Sequence, residues 1–202
     1  MAGSEISLHG ARVLVTRPAH QADGLCNKIE AAGGVAIRFP TLAIAEPADP
    51  AALTTALSAA AEADWAIFTS PNAVTRGLPL LRAHSPSARL HYAAVGAATA
   101  QALHAAGLRD VLAPATRFDS EALLELLPAD RMRGKTVLLF RGEGGRALLA
   151  DTLTARGARV LHAVCYRRIV PAADPNVLAR IARNEADIIV ATSREGLQNL
   201  ST

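Results

Sequence analysis

Val13-Leu14-Val15-Thr16-Arg17-Pro18 decides how the chain is read, because it returns as Val137-Leu138-Leu139-Phe140-Arg141-Gly142. Each copy is a short apolar run of strand length that passes through an arginine into a turn residue. The segments downstream repeat as well. After the first copy, Leu25, Ile29 and Ala32 recur at helical spacing, Gly33-Gly34 closes the helix, and residues 35–39 form a second apolar run. After the second copy, a helix runs through Leu149 and Leu153 to Gly157, and Val160-Leu161-His162-Ala163-Val164 is the returning strand. Val13 and Val137, Arg17 and Arg141, Ile29 and Leu153, and Gly33 and Gly157 each stand 124 positions apart.

A second pair keeps nearly the same offset. Ala63-Asp64-Trp65-Ala66-Ile67-Phe68-Thr69-Ser70 matches Ala186-Asp187-Ile188-Ile189-Val190-Ala191-Thr192-Ser193, 123 positions on. Both are apolar strands that end in Thr-Ser and enter a helix, with Asn72 or Glu195 in its first turn. The two pairs together describe a duplicated β-α-β-α unit. Strands alternating with helices predict parallel sheets covered on both faces, with ligands held at the carboxyl ends of the strands. The loops there are Thr16-Arg17-Pro18, Thr69-Ser70-Pro71-Asn72, Arg141-Gly142-Glu143-Gly144-Gly145 and Thr192-Ser193-Arg194. A fifth is Val95-Gly96-Ala97-Ala98-Thr99, where a strand over 92–95 passes into a helix over 99–106 capped by Gly107. Two proline-bearing extended stretches, Arg38 to Pro47 and Cys165 to Pro171, are too proline-limited for helix and are equivalent enough to pair as a two-stranded ladder.

Composition narrows the function. Half of the chain is hydrophobic and 19% is charged, enough apolar material for a sizeable core and too much for disorder. Only 3% is aromatic, which leaves too few rings for a base-stacking platform. The net charge of +3 is carried by arginine, since Lys28 and Lys135 are the only lysines, and no run of five basic residues occurs. Nucleic acid is therefore not expected, whereas arginine suits capture of carboxylates or phosphates on a small molecule. Cys26 and Cys165 stand far apart and the six histidines form no ligand spacing, so no metal is expected. Met1-Ala2-Gly3-Ser4-Glu5 lacks a basic, apolar leader, and no stretch of about 20 apolar residues spans a membrane, so a cytoplasmic protein is expected.

Each candidate has a functional and a plainer structural explanation. Gly142-x-Gly144-x-x-Ala147 after a strand fits a dinucleotide turn, but the neighbourhood about 20 residues on holds Leu161-His162-Ala163 and no acid for a ribose. Backbone N–H groups there would equally hold carboxylates, or the glycines merely allow a tight turn. Ser70 and Ser193 are either helix N-caps or hydroxyl donors into a cleft. No Gly-x-Ser-x-Gly elbow surrounds them. Arg17 and Arg141 occupy matched strand ends, either solvated or aimed at a shared anion. Tyr166, flanked by Arg167 and Arg168, is either a packing residue with a wet tip or a participant in chemistry.

These residues, taken in order, resemble the uroporphyrinogen-III synthase family. The resemblance runs through the opening Val-Leu-Val-Thr-Arg-Pro, the 68–74 segment Phe-Thr-Ser-Pro-Asn-Ala-Val and Val95-Gly96-Ala97-Ala98-Thr99-Ala100. It continues through the 118–124 segment Phe-Asp-Ser-Glu-Ala-Leu-Leu, Tyr166-Arg167-Arg168-Ile169-Val170-Pro171 and the 192–197 segment Thr-Ser-Arg-Glu-Gly-Leu. It implies two flavodoxin-like α/β domains with parallel sheets, joined by a two-stranded β-ladder. The first domain is discontinuous, 1–37 plus 173–202; the ladder is 38–47 and 163–172; the second domain is 48–162.

The activity implied is closure of hydroxymethylbilane, a linear tetrapyrrole polycarboxylate, to uroporphyrinogen III, with loss of water and inversion of the last pyrrole ring. Neither metal nor cofactor is implied, and a monomer is expected. Tyr166 matches the family's linker tyrosine and is the catalytic candidate as a proton donor. Thr16, Arg17, Pro18, Thr69, Ser70, Asn72, Gly96, Thr99, Arg141, Gly142, Thr192 and Ser193 are the substrate-binding candidates, expected to line a cleft between the lobes. Roughly 45 residues follow Thr69-Ser70 before the first repeat closes, whereas the chain stops soon after Thr192-Ser193, so the first domain is expected to lack its closing part. The alternatives are a nucleotide-dependent α/β enzyme using the glycine turn and a non-catalytic two-lobed protein that binds a small anion.

Overall fold

The structure, a computed structural model, describes residues 7–145 and 147–200. The expectations resting on Met1 to Glu5, and on Arg146 within the glycine turn, lie outside the described residues. The chain clusters into two compact units, Met1–Ile44 with Arg168–Thr202 and Ala45–Arg167.

The first unit holds β1 (Arg12–Val15), α1 (Ala19–Ala31) and β2 (Val35–Arg38), then α8 (Pro175–Ala182), β9 (Ile188–Val190) and α9 (Arg194–Asn199). Its parallel sheet has the order β2-β1-β9, with Leu14 opposite Ile37 on one side and Ile189 on the other. α1 presents Ala22, Cys26 and Ile29 to the core, one face at spacings of four and three. Leu25, expected on that face, is only half-buried and packs at its margin. Gly33 then takes φ +74°, the left-handed turn-off that L-side chains resist.

The second unit holds α2 (Pro50–Leu57), β4 (Trp65–Phe68), α3 (Pro71–Ala83), β5 (His91–Ala94), α4 (Ala97–Ala105) and β6 (Val111–Leu112). It continues with α5 (Ser120–Glu125), α6 (Ala129–Met132), β7 (Thr136–Gly142) and α7 (Leu148–Ala155). The chain enters through β3 (Ala43–Ala45) and leaves through β8 (Arg159–Ile169). The sheet order is β3-β8-β7-β4-β5-β6, and β8 through β6 run parallel. β4 and β7 are central, so Trp65 to Phe68 and Val137 to Phe140 are buried along their whole length. Helix-covered strands need no polar face, which is why these runs read as continuously apolar. Phe68 and Phe140 stack across the register at 4.5 Å.

One detail ties the two units to a common plan. Asp64 precedes β4 and its carboxylate accepts from Thr136 N–H at 2.9 Å and Lys135 Nζ at 2.9 Å. Asp187 precedes β9 and accepts from Arg12 N–H at 2.8 Å, Nε at 3.0 Å and Nη2 at 2.8 Å. In both places the aspartate's own N–H donates to the neighbouring strand's first carbonyl, Thr136 or Arg12, at 2.9 Å. Each aspartate therefore brackets the amino end of a parallel strand pair, where the ladder has just begun and backbone groups lack partners. Burial opposes ionisation of Asp64, but Lys135 and Thr136 outweigh it and hold the carboxyl below its usual range. The Arg12 guanidinium holds Asp187 lower still.

Candidate active site

The carboxyl ends of β7, β4 and β8 bring Gly142, Ser70 and Tyr166 of the second unit together. The cause is a slip in the β7–β8 ladder: Arg141 faces Val164, but Gly142 faces Tyr166, so Cys165 is left without an opposite residue. A regular strand would send Cys165 and Tyr166 to opposite faces. The bulge breaks that alternation, and both residues are buried. The Cys165 thiol turns to the carbonyls of Arg141 (3.5 Å) and Ala73 (3.7 Å). Burial pushes this thiol up to about 12, so it remains a protonated donor.

Beyond the bulge the tyrosine ring lies against the Gly142 backbone. A Cβ at position 142 would sit 2.6 Å from Cε2 and Cζ of that ring and 3.0 Å from its hydroxyl oxygen. Gly142 therefore makes room for Tyr166, which answers why a glycine follows Arg141. Tyr166 is 2% exposed, and its Oη lies 3.0 Å from Ser70 Oγ. Ser70 is half-buried and caps α3 by accepting the Ala73 N–H at 3.1 Å, with Pro71 pre-set for the first helical position. Both explanations weighed for Ser70 thus apply to one hydroxyl.

The other candidates on this unit take distinct places. Thr69 continues the ladder through its N–H to the Phe140 carbonyl, and Asn72 lies half-buried in the first turn of α3. Gly96 caps α4 with extended backbone, and its carbonyl receives the N–H groups of Thr99 and Ala100 at 3.0 Å. Thr99 is buried, and Phe118, an exposed aromatic, stands beside Gly96. Arg141, read as either solvated or aimed at an anion, also has a local partner. Its guanidinium folds back on the carbonyls of Gly142 and Gly144, clamping the turn. An arginine with its donors turned onto its own loop is a brace more than a free anion hook.

On the first unit, Thr16 is buried, and its Oγ1 donates to the Val190 carbonyl at 2.9 Å, fastening the carboxyl ends of β1 and β9. Pro18 begins α1 without a side-chain cap, and the half-buried Arg17 beside it has a buried Nε with no partner among the described residues. Thr192 is exposed, and Ser193 caps α9 by accepting the Gly196 N–H at 2.9 Å. Sequence reasoning passed over Thr41, whose buried hydroxyl donates to Gly196 O at 2.8 Å and Thr16 O at 3.3 Å. It placed Cys165 in an extended stretch and noted its thiol, without a role for it. No signal in the sequence marks the bulge, because consecutive apolar residues are also buried in the regular strands β4 and β7.

The arrangement defines an α/β protein whose parallel sheets present hydroxyls, glycine turns and helix N-termini at their carboxyl edges. Residues 23–202 match the family described as Uroporphyrinogen-III synthase HemD. The uroporphyrinogen-III synthase of Escherichia coli (strain K12) is 37% identical over 191 residues, covering 93% of this chain and 78% of that one. That of Synechococcus elongatus is 33% identical over 202 residues, covering 97% and 75%. A crystal structure of a mutant uroporphyrinogen III synthase from Thermus thermophilus superposes with a TM-score of 0.65 at 24% identity, covering 95% of this chain and 76% of that one, and shows the same fold. The chain belongs to the uroporphyrinogen-III synthase family, whose members serve tetrapyrrole biosynthesis.

Proposed function

We propose that the chain closes hydroxymethylbilane to uroporphyrinogen III, and that the carboxyl edge around Tyr166 is where water is lost. A pyrrole expels a hydroxyl from its attached carbon with little help, because the ring nitrogen supplies the electron pair. The protein needs only a weak acid to receive the departing oxygen, and a phenol meets that need. Its larger task is to hold a flexible polycarboxylate in the one geometry that lets the last ring attack and invert. On the second unit, the helix N-termini at Gly96 and Ser70 offer N–H groups for carboxylates, with Thr69, Asn72, Thr99 and Arg141 at the strand ends; on the first, Pro18 begins a helix, with Thr16, Arg17, Thr192 and Ser193 at the strand ends. Arg141 takes part as the brace of its loop.

The observation that carries the site assignment is the 3.0 Å approach of Tyr166 Oη to Ser70 Oγ at the end of β4. Paired strands β3 and β8 act in this proposal as the ladder joining two domains, and the enzyme works as a cytoplasmic monomer without metal or cofactor. Among the described residues no helix is long and apolar enough to cross a membrane. The test is incubation with freshly made hydroxymethylbilane and separation of the isomers formed. The type III isomer is the expected product; only the spontaneous type I isomer would refute the proposal.

A further inference from the structure

We propose that Ser70 is the group that touches the departing hydroxyl, and that Tyr166 delivers its proton through Ser70 instead of directly. The inference rests on the dehydration site proposed above and starts from the burial of the phenol. At 2% exposure, the Tyr166 O–H must be satisfied inside the protein, because an unmade hydrogen bond there is costly. Its neighbour is Ser70 Oγ at 3.0 Å, so the phenol donates and the serine accepts. Ser70 Oγ also accepts the Ala73 N–H at 3.1 Å. A hydroxyl has two lone pairs and one proton. Both lone pairs are now committed, which leaves the serine proton as the one free donor of the pair, on the less buried residue.

The backbone fixes this pair from both sides. Ala73 holds Ser70 through its N–H, while its carbonyl faces the thiol of Cys165, the residue immediately before Tyr166. The missing side chain of Gly142 sets where the ring lies. Ser70 and Tyr166 are thereby held in register by one turn of α3 and one bulge of β8, the kind of support that keeps a proton path in place.

Atoms and electrons balance in this step. The C–O bond of the hydroxymethyl group breaks, its electron pair goes to oxygen, and the pyrrole nitrogen pair forms the C=N bond of the azafulvene cation. The leaving oxygen takes the Ser70 proton and departs as water, while Ser70 takes the Tyr166 proton, leaving a phenolate. The proton released from the attacking ring at closure returns along the same pair. Because both transfers are coupled, negative charge never settles on the serine.

The test compares Ser70→Gly, Ser70→Thr, Tyr166→Phe and the two double variants in the full chain, reading kcat and KM separately. Glycine is tolerated at a helix N-cap almost as well as serine, and because Ser70→Gly also takes away the acceptor of the buried Tyr166 O–H, each variant is first shown by denaturant unfolding to fold like its parent. Ser70→Gly is expected to lower kcat by about tenfold or more with KM within roughly threefold, and Ser70→Thr to restore it within roughly threefold. In the Tyr166→Phe background, Ser70→Thr is neutral and Ser70→Gly brings kcat no lower than Ser70→Gly alone, the non-additivity of groups in series. A second readout needs no turnover: with ¹³Cζ-labelled tyrosine, Ser70→Gly must shift the Tyr166 resonance and leave that of Tyr92. If Tyr166→Phe slows turnover while Ser70→Gly does not, the phenol acts directly and the relay is wrong. A Ser70→Gly effect confined to KM, or an unmoved Tyr166 resonance, also overturns it. Full turnover in both Ser70→Gly and Tyr166→Phe removes the dehydration site itself.

Discussion

β4 and β9 are two copies of one sequence pattern, yet they live in different surroundings. β4 lies between β7 and β5, and Trp65, Ala66, Ile67 and Phe68 are all buried. β9 pairs with β1 alone among the described residues, and Ile188 and Ile189 are 40% and 54% exposed. The start of each strand is bracketed by the same aspartate device, Asp64 or Asp187, so the local chemistry is shared. What differs is what packs against it. An apolar run specifies a strand; neighbouring strands and helices decide how much free energy that strand contributes.

The largest contrast expected is therefore between matched truncations. Ile67→Ala should destabilise by about 2–5 kcal/mol through lost burial and a cavity, whereas Ile189→Ala should cost less than ~1 kcal/mol. Denaturant unfolding of the two variants measures both. Equal losses would show that β9 is as well packed as β4.

The carboxyl edges also differ. Unit two places Gly142 where unit one has Pro18, and only the glycine admits a tyrosine ring. Gly142→Ala puts a methyl group 2.6 Å from that ring, and such overpacking typically costs about 1–3 kcal/mol. Turnover should fall further than stability explains, because the ring that supplies the proton is displaced. A variant with full kcat would mean that ring placement is not set by Gly142.

The smallest effect is electrostatic. In the folded protein Asp64 and Asp187 ionise below the unfolded value of about 4, so their contribution to stability is complete above that pH and is lost as pH falls toward their folded values. Unfolding midpoints should drop from pH 5 to pH 3. Asp187→Asn should start lower at pH 5 and decline less steeply, and an unchanged slope would show that the Arg12–Asp187 pair does not stabilise the fold.

Much of this architecture was legible because it is written locally. Apolar runs, Gly33, Gly107 and Gly157 after helices, and the Thr-Ser strand ends mark elements without knowledge of their neighbours. The duplication showed which runs are equivalent. The bulge at Cys165 was not legible in that way, because a register slip exists only between two strands, β7 and β8. The same holds for Arg141, whose reach is fixed by the turn it folds over, and for Leu25, which lies just off the buried face of α1. Asp64 and Asp187 recur in the repeat, but their partners arrive from strands far along the chain. Tyr166 was identified by resemblance; its seat on Gly142 and its bond to Ser70 come from the structure alone.

The most direct measurement is the turnover of Tyr166→Phe with hydroxymethylbilane, on protein shown to unfold like its parent. The account predicts a fall of roughly tenfold in kcat, less than the usual ~10²–10⁴-fold for loss of a proton donor because the pyrrole itself expels the hydroxyl, with the type III isomer still the product. Unreduced kcat would contradict a role for the phenol in water loss.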